Sequence, residues 1–222
     1  CAEALCEAGA TVILTDITTE AAEQGQNRLK DKGYRVTSRA MDVTDSAAIQ
    51  ATANQLEADG TPVDILVCNA AINPYFGTLQ DIDEGAFDKI METNVKNQLW
   101  LCNMVIPAMA ERREGSVIIV SSVGAMKGTK NLGAYSISKG ADITIARNLA
   151  VEWGESQVTV NCIAPALIRT DMARALWEDP ERYKKACEIY PLGRIGEPEE
   201  VAGAAVFLAA PSGRFVTGQT II

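Results

Sequence analysis

Tyr135 and Lys139, in the run Tyr-Ser-Ile-Ser-Lys, are the two residues of this sequence best suited by type and spacing to move a proton. Four residues apart on a helix, their side chains share one face and lie within reach of each other. A phenol ordinarily ionises at about pH 10, which makes it a poor base at neutral pH. A neighbouring ammonium favours the phenolate, so Lys139 is expected to draw Tyr135 toward a working range. Such a phenol could take the proton of an alcohol as hydride leaves the carbon, or return one to a carbonyl during its reduction. Alone the pair is a weak signal, since many helices carry it with no chemistry attached. Three further polar residues sharpen it. Ser122 follows the apolar run Ser116–Ser121, Asn94 stands in the long helical stretch before that run, and Asn69 ends the apolar run before that. One polar residue at a strand end is ordinary turn chemistry. Several at successive strand ends, together with a Tyr/Lys helix, point to a site.

The elements that must position these residues alternate along the chain. Thr11–Asp16, Tyr34–Ala40, Val63–Asn69, Ser116–Ser121 and Val158–Ala164 read as buried strands, rich in Val and Ile and bounded by Gly, Pro, Asn or Asp. Between them the spacing predicts helices over Glu20–Lys32, Ser46–Asp59, Gly85–Arg113, Tyr135–Gly154 and Pro198–Ala210. Asp45 is placed to cap the second, while Gly33, Gly60 and Gly154 sit where helices commonly stop. Strands that are apolar throughout and alternate with helices predict a parallel sheet covered on both faces, an α/β fold of the doubly wound Rossmann type. Open sheets of that kind bind ligands at the carboxyl edge of the strands, where Ser122 and Asn69 fall. No repeat or linker interrupts the 222 residues, which predicts one domain. Residues 1–9 read as the last turns of a helix and the final TGQTII as the start of a strand, so the sequence reads as a segment cropped at both ends.

Composition narrows the classes further. A net charge of −9 argues against nucleic acid and against an anionic membrane surface. No apolar run reaches the roughly 18–20 residues of a spanning helix. With no histidine, Ser-His-Asp and Cys-His schemes are excluded and a catalytic zinc or other metal site is not expected. Six scattered cysteines with no CxxC pair read as small buried hydrophobes of a reducing compartment, and a cytoplasmic location is the expectation.

Taken in order, TVILTD, MDV (Met41–Val43), CNAAIN (Cys68–Asn73), Asn94 in ETNV, VSSVGA around Ser122, YSISK, NCIAPALIRTDM, PLGRIGEPEEVA and VTGQTII resemble the short-chain dehydrogenase/reductase family over essentially the whole chain. The resemblance implies a catalytic set of Asn94, Ser122, Tyr135 and Lys139. Ser122 is taken rather than Ser121 because the family keeps that serine thirteen positions before the tyrosine (135 − 122 = 13). Ser122 would hold the substrate oxygen near the phenol, Lys139 would also bind the nicotinamide ribose, and Asn94 would hold a water linking Lys139 to solvent. The same resemblance implies cofactor contacts from Asp16 to the adenosine ribose, from Asp42 and Val43 to adenine, and from Asn69 and Ala70 along the adenosine side. Pro165, Ile168 and Thr170 would grip the nicotinamide carboxamide. A carboxylate at Asp16 welcomes the free 2′-hydroxyl of NAD and repels the 2′-phosphate of NADP, and Ile17 after it brings no positive charge. NAD is therefore expected ahead of NADP.

Two glycines of the family pattern are replaced, giving Asn69-Ala70-Ala71 and Pro165-Ala166, and both changes are small. The first strand of the doubly wound sheet and its Gly-rich phosphate turn, expected about 20 residues before the ribose-binding acid, are expected to fall before Cys1 and so to be missing from this sequence. A substrate lid is expected over about 166–195, with Tyr75, Phe76, Met126, Trp177 and Tyr190 offering apolar surface to a small, uncharged or weakly polar alcohol or ketone. NLGAYSISKG and the lid sequence look like the branch of peroxisomal carbonyl and retinal reductases, an NADP-linked branch whose preference Asp16 opposes. Family members pair through their two long helices, which implies a homotetramer here. An NADP-preferring carbonyl reductase and a catalytically silent dinucleotide-binding sensor or scaffold are the alternatives. Enoyl reductases of the superfamily are disfavoured, because their tyrosine and lysine stand more than four residues apart.

Overall fold

A computed structural model describes residues 1–222. After a short helix α1 (Ala2–Glu7) the chain runs β1 (Val12–Asp16), α2 (Thr19–Lys30), β2 (Val36–Ala40), α3 (Ser46–Ala58) and β3 (Ile65–Cys68). It continues through α4 (Glu84–Met91), a π turn (Glu92–Lys96), α5 (Asn97–Arg112), β4 (Gly115–Val120), α6 (Gly133–Trp153) and β5 (Val158–Ile163). Two short helices, α7 (Arg174–Trp177) and α8 (Pro180–Ile189), precede α9 (Pro198–Ala209) and β6 (Thr220–Ile221). All strand pairs are parallel.

Alternation of side chains explains why the strands are apolar throughout. Val117 and Ile119 of β4 face α5 and α6, where they pack with Cys102, Ile106, Met109, Ile143 and Ala146. Ile118, between them, points to the other face and packs with Ala205 and Leu208 of α9. Both faces are thus covered by helices, as a buried parallel sheet requires.

The sheet comes in two parts. β3, β4, β5 and β6 are hydrogen-bonded in that order, while β1 and β2 form a separate pair. One edge of β1 and one edge of β3 therefore carry no strand partner. In both parts the candidate residues gather at the carboxyl ends: Asp16 is level with Ala40 in the small sheet, and Cys68, Ile119 and Cys162 are level in the large one.

The boundaries follow local chemistry. Asp45 caps α3, its Oδ1 accepting from the N–H groups of Ala47 at 2.8 Å and Ala48 at 3.2 Å. Gly33 and Gly60 turn left-handed just past α2 and α3. Gly154 behaves differently from expectation: it stays right-handed and opens a 3-10 turn, and Gln157 takes the left-handed position at φ 63°. The expected single helix over Gly85–Arg113 is broken into α4 and α5 by the π turn that contains Asn94.

Candidate active site

Four elements converge beside the carboxyl end of β4. Tyr135, Ser138, Lys139 and Asp142 come from α6, Ser121 and Ser122 from the end of β4, Asn94 from the π turn, and Gln98 from α5. A π turn inserts an extra residue into the helical ladder and re-aims its side chains, a device common at functional sites. Here it accompanies a fully buried Asn94 whose amide makes three hydrogen bonds. Its Oδ1 accepts from the Ile72 N–H at 2.8 Å, while its Nδ2 donates to the Ile72 carbonyl at 2.9 Å and to Ser138 Oγ at 3.0 Å. Asn94 thereby clamps the segment after β3 to the start of α6.

The two serines differ in surroundings. Ser121 is buried, and its hydroxyl donates to the Lys139 carbonyl at 2.7 Å. Ser122 is half-buried, accepts from the Gly124 N–H at 3.1 Å, and stands beside the Tyr135 phenol. Lys139 is 1 % exposed, an unusual burial for an ammonium. It donates to the Val120 carbonyl at 2.9 Å and to Asp142 Oδ2 at 3.0 Å, and lies 5.7 Å from the centre of the Tyr135 ring. Asp142 is fully buried, and its second oxygen accepts from Gln98 Nε2 at 2.8 Å.

This arrangement alters the expected electrostatics. The Tyr135 phenol is pushed up to about 12, first by burial and next by the Asp142 charge, with the Ser122 hydroxyl working against the rise. The lowering expected from Lys139 does not prevail in the free protein, where burial and the Asp142 charge set the direction. Asp142 is itself raised to about 6 by burial, against the opposing pull of Lys139 and Gln98. Sequence reasoning passed over Asp142 and Gln98, since an acid or amide on a helix ordinarily faces water. The available signal was spacing: Asp142 lies three residues after Lys139 and so shares its face.

The residues proposed for the adenosine side stand at the exposed strand ends. Asp16 is exposed, and its Oδ1 accepts from the Ile17 N–H at 2.8 Å. Asp42 accepts from the Thr44 N–H and hydroxyl, both at 2.8 Å, and these bonds hold its carboxyl below the usual range. Val43 is half-buried beside it, while Asn69 and Ala70 are exposed after β3. Pro165 lies beside the segment that follows β4, its carbonyl accepting from the Val123 N–H at 3.0 Å. Ile168 is bridged to Gly196, and Thr170 is exposed with its carbonyl accepting from Trp177 Nε1 at 2.9 Å. Of the aromatics expected to offer apolar surface, Trp177 and Tyr190 are engaged within the segment itself. The Trp177 ring lies 5.1 Å from the Arg169 guanidinium, and the Tyr190 hydroxyl accepts from the Leu167 N–H at 3.2 Å.

Residues 1–222 match the family model described as Enoyl-(Acyl carrier protein) reductase, a branch of the short-chain dehydrogenases/reductases. Dehydrogenase/reductase SDR family member 4 of Bos taurus is 40 % identical over 100 % of this chain and 79 % of its own length. The chain belongs to the short-chain dehydrogenase/reductase family. Its fold is accordingly shared with solved members. A gluconate 5-dehydrogenase from Burkholderia cenocepacia, in complex with NADP and tartrate, superposes with a TM-score of 0.94 at 29 % identity over 99 % of this chain and 86 % of that one. An NAD+-bound xylitol dehydrogenase gives 0.93 at 26 % identity, covering 99 % of this chain and 90 % of that one. Membership makes the protein an oxidoreductase of the dehydrogenase/reductase type, acting on CH–OH groups. No helix is long and apolar enough to cross a membrane.

The donor set fits a dinucleotide. Asp16 has one carboxylate oxygen engaged by Ile17 and the other open at an exposed strand end, an acceptor suited to a ribose diol. Lys139 has two of its three N–H donors engaged, by Val120 and Asp142.

Proposed function

We propose that the protein is an NAD-linked oxidoreductase acting on a secondary alcohol or its ketone, with Tyr135 as general acid–base. When bound, the nicotinamide supplies or accepts the hydride. The observation that carries the reading is Tyr135 itself, half-buried beside the Ser122 hydroxyl and protonated throughout the neutral range. A protonated phenol at this place can donate to a carbonyl oxygen that Ser122 holds by a hydrogen bond, and take the proton back in the reverse direction. Lys139 supplies the positive charge behind Tyr135 and an N–H for the nicotinamide ribose. Asn94, whose amide bonds Ile72 and Ser138, would hold the water that links Lys139 to solvent.

Asp16 is the main support for NAD. Its carboxylate repels a 2′-phosphate, and Ile17, 66 % exposed, offers no compensating charge. Arg39, level with Thr15 on the neighbouring strand, is paired with Asp59 at 3.0 Å. Asp42, Val43, Asn69 and Ala70 would line the adenosine side, and Pro165, Ile168 and Thr170 the carboxamide. Residues 166–195 form the lid over a small alcohol or ketone, within one domain spanning the chain. Its base is latched by Arg169, which pairs with Glu197 at 3.0 Å and lies over the rings of Trp177 and Tyr183. Pairing through α5 and α6, along a groove of about 660 Å³ lined by Leu99, Ile145 and Leu149, would build the homotetramer. Six free thiols, four of them buried, suit a reducing compartment such as the cytoplasm.

Titration of the full-length protein with NADH and NADPH by nicotinamide fluorescence tests the cofactor. Tighter NADH binding supports Asp16, and xylitol, gluconate and simple secondary alcohols are then the first substrates to try with NAD. Tighter NADPH binding would overturn the role of Asp16 and favour the carbonyl reductase alternative.

A further inference from the structure

The segment that would cover the substrate is closed at its neck against one helix end. Its incoming run Leu167–Arg169 and its outgoing Gly196 meet in a parallel bridge. The Arg169 N–H donates to the Gly196 carbonyl at 2.9 Å, and the Gly196 N–H to the Leu167 carbonyl at 3.0 Å. Carboxylates at the start of α9 take an arginine from each side of this neck. Arg194 donates twice to Glu200, at 2.7 and 2.6 Å, and Glu200 also accepts from the Glu197 N–H at 2.9 Å. Arg169 donates from Nε to Glu197 at 3.0 Å.

The two arginines differ in what else they touch. The Arg169 guanidinium carbon lies 5.1 Å from the centre of the Trp177 ring in α7 and 5.8 Å from that of Tyr183 in α8. Trp177 in turn donates from Nε1 to the Thr170 carbonyl at 2.9 Å. One guanidinium thus joins α7, α8 and the start of α9 and, through the indole, the backbone of Thr170. Stability does not require this. The Arg169 and Glu197 side chains are 39 % and 43 % exposed, where an ion pair contributes little. Neither α7 nor α8 contributes a residue to the buried core. A planar guanidinium bonded to a carboxylate and lying over two rings sets orientation instead. Arg174 and Arg182 do not act this way, since they pair with Asp171, Glu178 and Asp179, three or four residues away in the same short stretch.

We propose that Arg169 is a positioning residue that couples α7 and α8 to the bound dinucleotide, by way of Trp177 and the backbone of Thr170. The proposal rests on the assignment of Ile168 and Thr170 to the nicotinamide carboxamide given above. With Arg169 holding the Trp177 ring, the indole fixes the Thr170 backbone to α7, so a dinucleotide that engages Thr170 steadies both lid helices. The coupling is reciprocal: the factor by which the dinucleotide suppresses lid opening is the factor by which the closed lid tightens dinucleotide binding.

Limited trypsin digestion of the full-length protein tests this. Cleavage at Lys184 and Lys185, exposed on α8, is followed by mass spectrometry with and without saturating NADH or NADPH, whichever binds tighter. The quantity read is the ratio of the cleavage rate without dinucleotide to the rate with it. In the parent this ratio should be about tenfold. In Arg169→Met, which removes the charge and the donors, it should fall to about one, and the dinucleotide Kd should rise about tenfold. Trp177→Phe, which keeps a ring and removes the indole N–H, should do the same. A merely structural role would speed cleavage equally in both states and leave the ratio unchanged. That result in either variant, or a parent ratio of about one with dinucleotide bound, would overturn the proposal. Binding of neither dinucleotide by the parent would instead remove the carboxamide assignment, and the proposal with it.

Discussion

The two halves of the candidate site are built on opposite principles. At the end of β4, Asn94, Lys139, Asp142 and Gln98 are buried and joined by bonds from three helical segments. At the ends of β1 and β2, Asp16 is exposed, while Asp42, only half-buried, is bonded just to its own turn. Groups that move protons must be held in one geometry and a low-dielectric setting. Groups that select a ribose need only a free carboxylate at the right edge. Function and stability should therefore be inseparable in the first half and separable in the second.

Lys139→Met is the strongest way to break the comparison. It removes the charge behind Tyr135 and strands Asp142, so turnover should fall by about a thousandfold and stability by about 3 kcal/mol. Chemical denaturation measured alongside kinetics would show both; loss of turnover with full stability would mean that the pair is not buried as described. A pH profile comes next. With the phenol at about 12, alcohol oxidation should climb with pH across the neutral range, toward about tenfold per unit, while carbonyl reduction stays level. Reduction is lost only as pH rises through the Tyr135 ionisation. Equal slopes in the two directions would count against Tyr135 as the acid.

In the exposed half, Asp16→Arg should weaken NADH binding about tenfold and improve NADPH, with stability moved by no more than about 0.5 kcal/mol. A melting curve and paired fluorescence titrations decide this; a folding defect would show that Asp16 is more than an edge group. Asp45→Ala, in the cap of α3, should cost about 1 kcal/mol and leave cofactor binding alone.

Much of the scaffold was legible because Val/Ile runs bounded by turn residues can hardly be anything but strands covered on both faces. The expected helix Tyr135–Gly154 agrees with α6, Gly133–Trp153, because its apolar residues recur at helical spacing. The π turn was not legible, since ETNV contains no residue that breaks a helix; its geometry arises where Asn94 meets Ile72 and Ser138, contacts remote in sequence. At the site, Tyr135, Lys139 and Ser122 were visible through type and spacing. Asp142 and Gln98 were not, because their meaning depends on α5 and α6 facing each other across 44 residues of chain.

The central claim is that Tyr135 carries the proton in an oxidoreductase site, and Tyr135→Phe tests it most directly. The variant keeps the ring and removes only the hydroxyl. Turnover should fall by about a hundred- to ten-thousandfold, while NADH binding, followed by fluorescence on the same sample, stays as in the parent. Turnover at the parent rate with cofactor binding intact would contradict the account.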